Sequence, residues 1–323
     1  MNLEQFFAKA VQVGIDQDPR GRKAVEKLLK QTQQEYDKLD EKKKGYFDTD
    51  SLTNPFADSR FLFGEPETPL KRMLVGIDIE GPEVLLADRL RERGEGFDLV
   101  LGHHPEGIGL TSLHKVMYVQ ADVWHSIGVP ISVAESLIGK RASEIEKRLL
   151  ASNCNRAVDL ARLLNIPLMC THTPADNCVT KYLQKRMDAE KPEKVSDVID
   201  FLLTQPEYQD SSRLGTGPKV ILGSESRRAG RIMVDMTGGT GGPKEILERI
   251  AQTDVGTIVG MHMSEDCYKE AEKNHLNVVI AGHIASDNLG MNLLLDMTLG
   301  KAPVEVVECS GFKRVRAKER KTV

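Results

Sequence analysis

The sequence predicts an α/β protein in which a largely parallel or mixed sheet is covered by helices. From Lys71 onward, short apolar segments such as FDLVLG and NVVIAG alternate with amphipathic helical segments, a pattern typical of strands joined by crossover helices. The chain has 323 residues, of which 40% are hydrophobic and 28% charged. It is therefore long and apolar enough to bury one large core or two ordinary ones.

Composition argues against two classes of protein. The formal net charge of −4 disfavours a nucleic-acid-binding protein, because phosphate contacts usually require a basic excess. No segment approaches the roughly 18 consecutive apolar residues of a membrane span, and the first residues lack the features of a secretory signal. The five cysteines have no zinc-knuckle spacing and are expected to be reduced thiols. We therefore expect a cytoplasmic protein that spans no membrane.

Residues 1–70 are expected to form a helical extension followed by an irregular connector. An apolar stripe predicts a first helix, and the segment DPRG, residues 18–21, predicts a break after it. Residues 22–44 are typical of a charged amphipathic helix. Residues 46–69 are rich in Asp, Ser, Asn and Pro, which predicts the connector. The apolar stripe of the second helix favours packing on another subunit or over the site, so we expect self-association.

Residues 71–185 and 186–323 are expected to form two α/β portions. In the first, RMLVGIDI, FDLVLG and IPLMC predict strands, with PEVLLADRLRERGEG as one of the helices. In the second, KVILG, RIMVDM, TIVGM and NVVIAG predict strands, with helices at PKEILERIAQTD, SEDCYKEAEKNH and after ASDN. The patterns of 71–185 and 215–310 allow these stretches to be two related halves.

Three predicted strands end in turns that carry histidine, which read LGHHPEG, CTHTPADN and AGHIASDN. Ligands collect at the carboxyl ends of strands in open α/β sheets, so the histidines and carboxylates of these turns are expected to share one cavity. In the second and third turns the carboxylate follows the histidine by four residues, which places both on one helix face. The six candidates are His103, His104, His172, Asp176, His283 and Asp287.

Mixed imidazole and carboxylate ligands suit Zn²⁺, Mn²⁺, Fe²⁺, Co²⁺ or Ni²⁺. Six candidates exceed the three protein ligands of a usual open catalytic site, and they fit a pair of ions with a bridging carboxylate. Each turn also has an ordinary interpretation. Adjacent histidines occur in surface turns, and Asp176 and Asp287 are typical of helix starts.

Further candidates lie near the predicted strand ends. His262 follows the strand TIVGM and, like Glu106, is a candidate for proton transfer. A core or supporting histidine is an equally good interpretation of His262. Asp78, inside an apolar strand, is expected to orient a metal-binding histidine. The Gly-rich turn is a candidate substrate loop that offers backbone N–H groups to an anion, or else a tight structural connection; its residues are Thr237, Gly238, Gly239 and Thr240.

The segments LGHHPEG, THTPADN and GHIASD together resemble the motifs of the Nif-three family of dinuclear metal-centre proteins, many of which carry the name GTP cyclohydrolase I type 2 homologue. The resemblance covers residues 71–315 and implies two α/β lobes with mixed sheets around a shared site, a bound metal pair and often a hexamer built as a trimer of dimers. By position, it implies five metal ligands, with His172 as a ligand or a support: His103, His104, Asp176, His283 and Asp287. This chain departs from the family in having Asp287 where the family usually has Glu.

The resulting hypothesis is a divalent-metal-binding protein with two ions per subunit, acting as a hydrolase through metal-activated water. The substrate would be a small molecule: a phosphate ester, an amide or a purine-like heterocycle. The alternative is a metal-binding scaffold or regulatory oligomer without catalysis. No residue set in the sequence specifies GTP.

Overall fold

The computed structural model describes residues 1–317. Its helices up to the middle of the chain are α1 (Leu3–Gln17), α2 (Arg22–Asp37), α3 (Glu41–Lys44), α4 (Gly81–Glu92), α5 (Gly107–Thr111), α6 (Val119–Ser126), α7 (Ile131–Leu149) and α8 (Arg156–Leu164). The later helices are α9 (Thr173–Glu190), α10 (Val195–Leu202), α11 (Pro206–Arg213), α12 (Ile246–Ala251), α13 (Glu265–Lys273) and α14 (His283–Leu299). Short 3-10 helices cover Thr49–Leu52 and Leu113–Tyr118.

The strands are β1 (Arg60–Phe63), β2 (Arg72–Gly76), β3 (Leu99–Gly102), β4 (Leu168–Cys170), β5 (Lys219–Leu222), β6 (Arg231–Asp235), β7 (Val255–Gly260), β8 (Asn277–Ile280) and β9 (Glu305–Glu308). They form two sheets, of order β1-β4-β3-β2-β9 and β5-β8-β7-β6. Within each sheet the neighbouring strands are parallel, except that β1 and β5 run antiparallel to β4 and β8. The predicted α/β class with mixed sheets flanked by helices is confirmed.

The two sheets share one topology. The order β1-β4-β3-β2 in the first corresponds strand for strand to β5-β8-β7-β6 in the second, including the antiparallel edge strand. This correspondence pairs β2 with β6, β3 with β7 and β4 with β8. The structure therefore has two halves of like topology, as the repeated strand–helix pattern suggested.

Helices α9 and α14 lie between the sheets and are buried along most of their length. One face of the first sheet packs on α1, α9 and α14, while the facing side of the second sheet packs on α9, α10 and α14. The outer face of the first sheet is covered by α4 and α8, and that of the second by α6, α7, α12 and α13. Helix α14 contributes buried residues to the cores of both sheets. Its apolar residues therefore lie all around the helix and form no single stripe.

The connector predicted for residues 46–69 differs from the structure. Residues Arg60–Phe63 form β1, which pairs antiparallel with β4 and completes the first sheet. The strand is only four residues long and stands among polar and turn-forming residues, so its pattern is too short to be distinguished from a loop.

The helical extension also belongs to the first core, in which Leu3 and Phe6 are fully buried. The predicted helix at residues 243–254 is shorter in the structure, where α12 spans Ile246–Ala251. The predicted domain boundaries at residues 70 and 185 stay a prediction. Strand β9, from the C-terminal portion, pairs with β2 of the first sheet.

In the part of the chain that the structure describes, no helix combines the length and apolar character needed to cross a bilayer. The cytoplasmic location expected from the sequence stays a prediction. The five cysteines are free, as expected. Cys170 and Cys178 are buried, and burial raises the pKa of the Cys170 thiol to about 12, which makes it a poor nucleophile at neutral pH.

Candidate metal centre

The three histidine-bearing turns meet between the lobes. His103 and His104 directly follow β3, His172 precedes α9 and follows β4, and His283 is the first residue of α14 after β8. Asp176 lies in the first turn of α9, four residues after His172, and Asp287 stands at the same spacing in α14. Because α9 and α14 pack against each other between the sheets, the convergence expected from the sequence is present.

A backbone bend that requires glycine places His283. Gly282 has a φ of +109°, which L-residues with a Cβ rarely adopt. A Cβ at this position would also lie 2.8 Å from the carbonyl oxygen of Thr216. The turn from β8 into α14 therefore depends on glycine immediately before the histidine.

The carboxylate of Asp287 lies between two sets of possible ligands. Its Oδ1 is 3.5 Å from Nε2 of His103. Its Oδ2 is 3.5 Å from Nε2 of His104 and 3.6 Å from Nε2 of His283. On the first side, Oδ1 of Asp176 is also 3.5 Å from Nε2 of His103. The carboxylate of Asp287 thus faces both sets of possible ligands, with one oxygen toward each set.

These separations fit metal ligands better than hydrogen bonds. Hydrogen bonds of this type measure about 2.7–3.2 Å, whereas two ligands of a tetrahedral ion at roughly 2.0–2.1 Å lie about 3.3 Å apart. Buried polar atoms without a hydrogen-bond partner among the described residues include Nε2 of His103, Oδ1 of Asp176 and both oxygens of Asp287. Cations on the two sides of Asp287 would satisfy all four, so the residues present fit a metal site.

Three overlapping sets have donor atoms within 4.8 Å of one another: His103, Asp176 and Asp287; His104, His283 and Asp287; and His103, His104 and His172. Buried histidine and aspartate groups in this arrangement could hold a metal ion. The first two sets share Asp287 and together contain the five ligands that the resemblance implies. The third set leaves His172 open as a ligand.

Neighbouring groups fix which ring nitrogen faces the site. Nδ1 of His103 is 3.2 Å from the carbonyl oxygen of Thr171, and a carbonyl oxygen can only accept. The proton of the neutral imidazole therefore sits on Nδ1, which leaves the lone pair of Nε2 for a metal. Nδ1 of His104 is 2.6 Å from Oδ1 of Asp78, the contact expected for Asp78 from the sequence.

Electrostatics favour the protonation states that metal ligands need. Burial, assisted by His172 and His104, lowers the pKa of His103 to about 4, so its imidazole is neutral at pH 7. Burial opposes ionisation of Asp287, but the attraction of His103, His104 and His283 outweighs it and holds the pKa of that carboxyl below its usual value. Asp176 behaves differently, because burial and the nearby Asp287 and Asp58 raise its pKa to about 7.

Asp58 is a part of the site that the sequence analysis missed. Its carboxylate is fully buried and accepts hydrogen bonds from Nδ1 of His172 at 2.8 Å and from Oγ1 of Thr173 at 2.6 Å. Although burial favours the neutral imidazole, Asp176 and Asp58 raise the pKa of His172 to about 9. Asp58 precedes β1 in the misassigned connector, and no spacing in the sequence marks it.

The two candidates for proton transfer are placed differently. His262 follows β7 and lines the cavity in front of the cluster, with its ring centroid 5.0 Å from that of His283. Glu106 has Glu80 and Arg156 as its charged neighbours, and burial together with Glu80 raises its pKa to about 7. Glu106 does not line the cavity. Both roles stay predictions.

The Gly-rich turn lines the same cavity and is tightly packed from behind. Thr237, Gly239 and Thr240 line the cavity, while the side-chain amide of Gln120 donates to the carbonyl oxygens of Gly238 and Thr240 at 2.8 and 2.6 Å. A Cβ on Gly238 would lie 2.6 Å from Cγ of Gln120. Packing therefore requires glycine at position 238. The helix that follows, α12, has only six residues and is too short for an N-terminal anion site. A role in substrate binding stays a prediction.

No family model matches the sequence, and no curated protein matches it. Solved structures are similar to it. The crystal structure of a NIF3 superfamily protein from Sphaerobacter thermophilus is 28% identical, with a TM-score of 0.69 over 79% of this chain and 92% of that chain. Reduced HcgD from Methanocaldococcus jannaschii is 15% identical, with a TM-score of 0.48 over 79% of this chain and 93% of that one. The first similarity confirms the fold expected from the residues.

Proposed function

Because the chain is a divergent NIF3-like protein, we propose that it binds two divalent metal ions per subunit and acts as a metal-dependent hydrolase. The observation that carries this proposal is the position of Asp287, with one carboxylate oxygen toward His103 and the other toward His104 and His283. A carboxylate shared in this way is the usual bridge of a two-metal site.

The proposed ligands divide into two sets. His103, Asp176 and Oδ1 of Asp287 would hold one ion, and His104, His283 and Oδ2 of Asp287 the other. Zinc, manganese, iron, cobalt and nickel all suit such nitrogen and oxygen donors. When bound, a metal pair supplies Lewis acidity and a water molecule with a pKa lowered toward about 7.

The other residues of the chain would prepare the site for hydrolysis. Asp78 and the carbonyl group of Thr171 hold the rings of His104 and His103 in place. Asp58 fixes His172, which stands 3.8 Å from the second oxygen of Asp176. His262, which lines the cavity, would exchange a proton with a bound molecule.

The test combines metal analysis with turnover. Protein loaded with each candidate metal is expected to retain about two ions per chain after desalting, and to hydrolyse at least one member of a panel of phosphate esters, amides and purine-like heterocycles. Retention of metal with no turnover on the panel would instead support a metal-binding scaffold or regulatory oligomer. Failure to retain any of the metals would refute the proposed function.

We also propose that the chain self-associates, with the hexamer implied by its family resemblance as the expected form. In α2 Val25 is buried and Leu29 packs beside it, whereas Leu28 is 37% exposed, so part of the apolar stripe of this helix is uncovered within one chain. Light scattering is expected to give a mass several times the 35.9 kDa of one chain. A single species of that mass would remove this part of the proposal.

A further inference from the structure

Asp235 is an acidic residue in the cavity that the proposed metal centre does not use. It is the last residue of β6 and lies in the cavity wall together with Thr237, His262 and His283. His262 and His283 follow the neighbouring strands β7 and β8, so the carboxyl ends of three parallel strands of the second lobe supply this wall. Asp235 therefore shares one cavity with the proposed metal centre, so a molecule bound there can reach it.

The repeated topology shows how Asp235 differs from the acidic residue of the first lobe. Strand β6 corresponds to β2, in which Gly76 holds the position of Asp235, and Asp78 lies two residues further along. In the first lobe, Asp78 is bound by Nδ1 of His104 at 2.6 Å. Within residues 1–317, Asp235 has neither a hydrogen bond nor an ion pair with any other side chain. The second lobe thus presents a carboxylate at its strand end without a protein partner.

The half-buried carboxylate of Asp235 has only part of its hydration and no protein donor, so a donor group on a bound molecule can pair with it. Burial raises the pKa of Asp235 to about 6, so the group is largely ionised at pH 7.5 and acts as a hydrogen-bond acceptor. No lysine or arginine from residues 1–317 is among the residues that line the cavity. No lysine or arginine of the described residues therefore pairs with Asp235 in this cavity.

The charges of the cavity select among the substrate classes. Bound metal ions would neutralise Asp176 and Asp287, whereas Asp235 lines the same cavity outside the proposed ligand sets and would keep its negative charge. A phosphate group beside Asp235 would be repelled. An amine, amide or amidine would be attracted, since its N–H groups can donate to the carboxylate.

Building on the proposed function, we infer that Asp235 is a substrate-binding residue that accepts hydrogen bonds from N–H groups of the substrate. The inference favours amides, amidines and amino-substituted heterocycles over phosphate esters. Asp235 would then determine specificity by charge, because a substrate without donors would leave the carboxylate unpaired.

The test measures the binding of two probes, acetamidinium and inorganic phosphate, to metal-loaded protein by NMR titration. The variant is Asp235→Asn, which keeps the shape of the side chain and breaks no internal contact. The control is Asp266→Asn, an identical change at an exposed residue of α13 outside the cavity. In Asp235→Asn we expect acetamidinium to bind at least about 10-fold more weakly and phosphate to bind more tightly, while the control leaves both affinities unchanged.

The inference is overturned if Asp235→Asn leaves acetamidinium binding unchanged, if the wild-type protein does not bind it, or if phosphate binding weakens in the variant. These results are distinguishable from failure of the metal centre, which would appear as loss of metal from the wild-type protein. In that case the acetamidinium titration is done on metal-free protein, where the same difference between Asp235→Asn and the wild type is expected. Thermal unfolding of both variants checks that they are folded.

Discussion

Oδ1 of Asp287 lies 3.5 Å from Nε2 of His103, although one residue is on a helix of the second half and the other directly follows a strand of the first. The two atoms belong to fully buried side chains, and neither has a hydrogen-bond partner among the described residues. Removing such atoms from water without a partner costs roughly 1–3 kcal/mol for each. A cation between the lobes would recover that cost and join the two halves.

Asp287→Asn should weaken the binding of both proposed ions. The amide cannot offer two anionic oxygens, so both proposed ions should be affected, and metal content should fall from about two ions per chain to less than one. Elemental analysis after desalting measures this. Asp266→Asn, which makes the same change at an exposed position, should keep full occupancy. Unchanged metal content in Asp287→Asn would exclude the bridging role.

Single histidine substitutions should each remove one of the two ions and leave the other bound. His103→Ala removes a ligand of the set that contains Asp176, and His283→Ala removes a ligand of the set that contains His104. Each variant should therefore lose about one ion and retain the other. Native mass spectrometry of protein loaded with a single metal distinguishes one bound ion from two. Loss of both ions in each variant would show that the ions bind only as a pair.

Asp78→Asn should weaken metal binding without abolishing it. Asp78 accepts from Nδ1 of His104 at 2.6 Å, and loss of such a supporting carboxylate typically lowers metal affinity about 10–100-fold. Competition with a chelator of known affinity measures the change. Asp88→Asn, on α4 and paired on the surface with Arg91, is the control and should leave metal affinity unchanged.

Asp58→Asn should destabilise the metal-free protein. The carboxylate is fully buried and holds His172, and removal of one member of a buried charged pair costs about 3–5 kcal/mol. Urea unfolding in the presence of a chelator measures the free energy of unfolding. Ser59→Ala removes the hydroxyl hydrogen bond to Asp58 and the one accepted from the backbone N–H of His172, but it leaves the charged pair in place and should cost less.

The effect of Asp58→Asn should depend on pH. The folded protein raises the pKa of His172 from 6.5 to about 9, so the stabilisation from its protonated form is fully present below pH 6.5 and is lost as the pH rises through 9. The difference in unfolding free energy between wild type and Asp58→Asn should therefore shrink between pH 6 and pH 9.5. A difference that stays constant over this range would contradict the ionised Asp58–His172 pair.

Gly238 in the Gly-rich turn and Gly241 directly after the turn provide a matched pair of substitutions. Gly238 has a φ of +90°, and a Cβ there would lie 2.6 Å from Cγ of Gln120, whereas the nearest atom to a Cβ on Gly241 is 3.9 Å away on His262. Gly238→Ala should lower the free energy of unfolding by about 1–3 kcal/mol, and Gly241→Ala by less than about 0.5 kcal/mol. Chemical denaturation of both variants checks this. Equal stability would show that the turn can adjust its backbone.

The sequence by itself determined the strand–helix alternation and the turns that carry the metal ligands. The local reason is that apolar strands, their carboxyl ends and a spacing of four residues in a helix can be identified within short segments. His172 with Asp176 and His283 with Asp287 were predicted on this ground, and the structure brings both pairs into one cluster.

Only the tertiary structure decided which remote groups meet that cluster. Asp58 reaches His172 because β1 pairs with β4, and that pairing has no signal in a four-residue strand surrounded by polar residues. Asp235 enters the cavity because the second lobe repeats the strand order of the first and faces it across α9 and α14. Spacing along a chain describes neighbours within a helix or strand, whereas contacts between two lobes depend on how their sheets pack against shared helices.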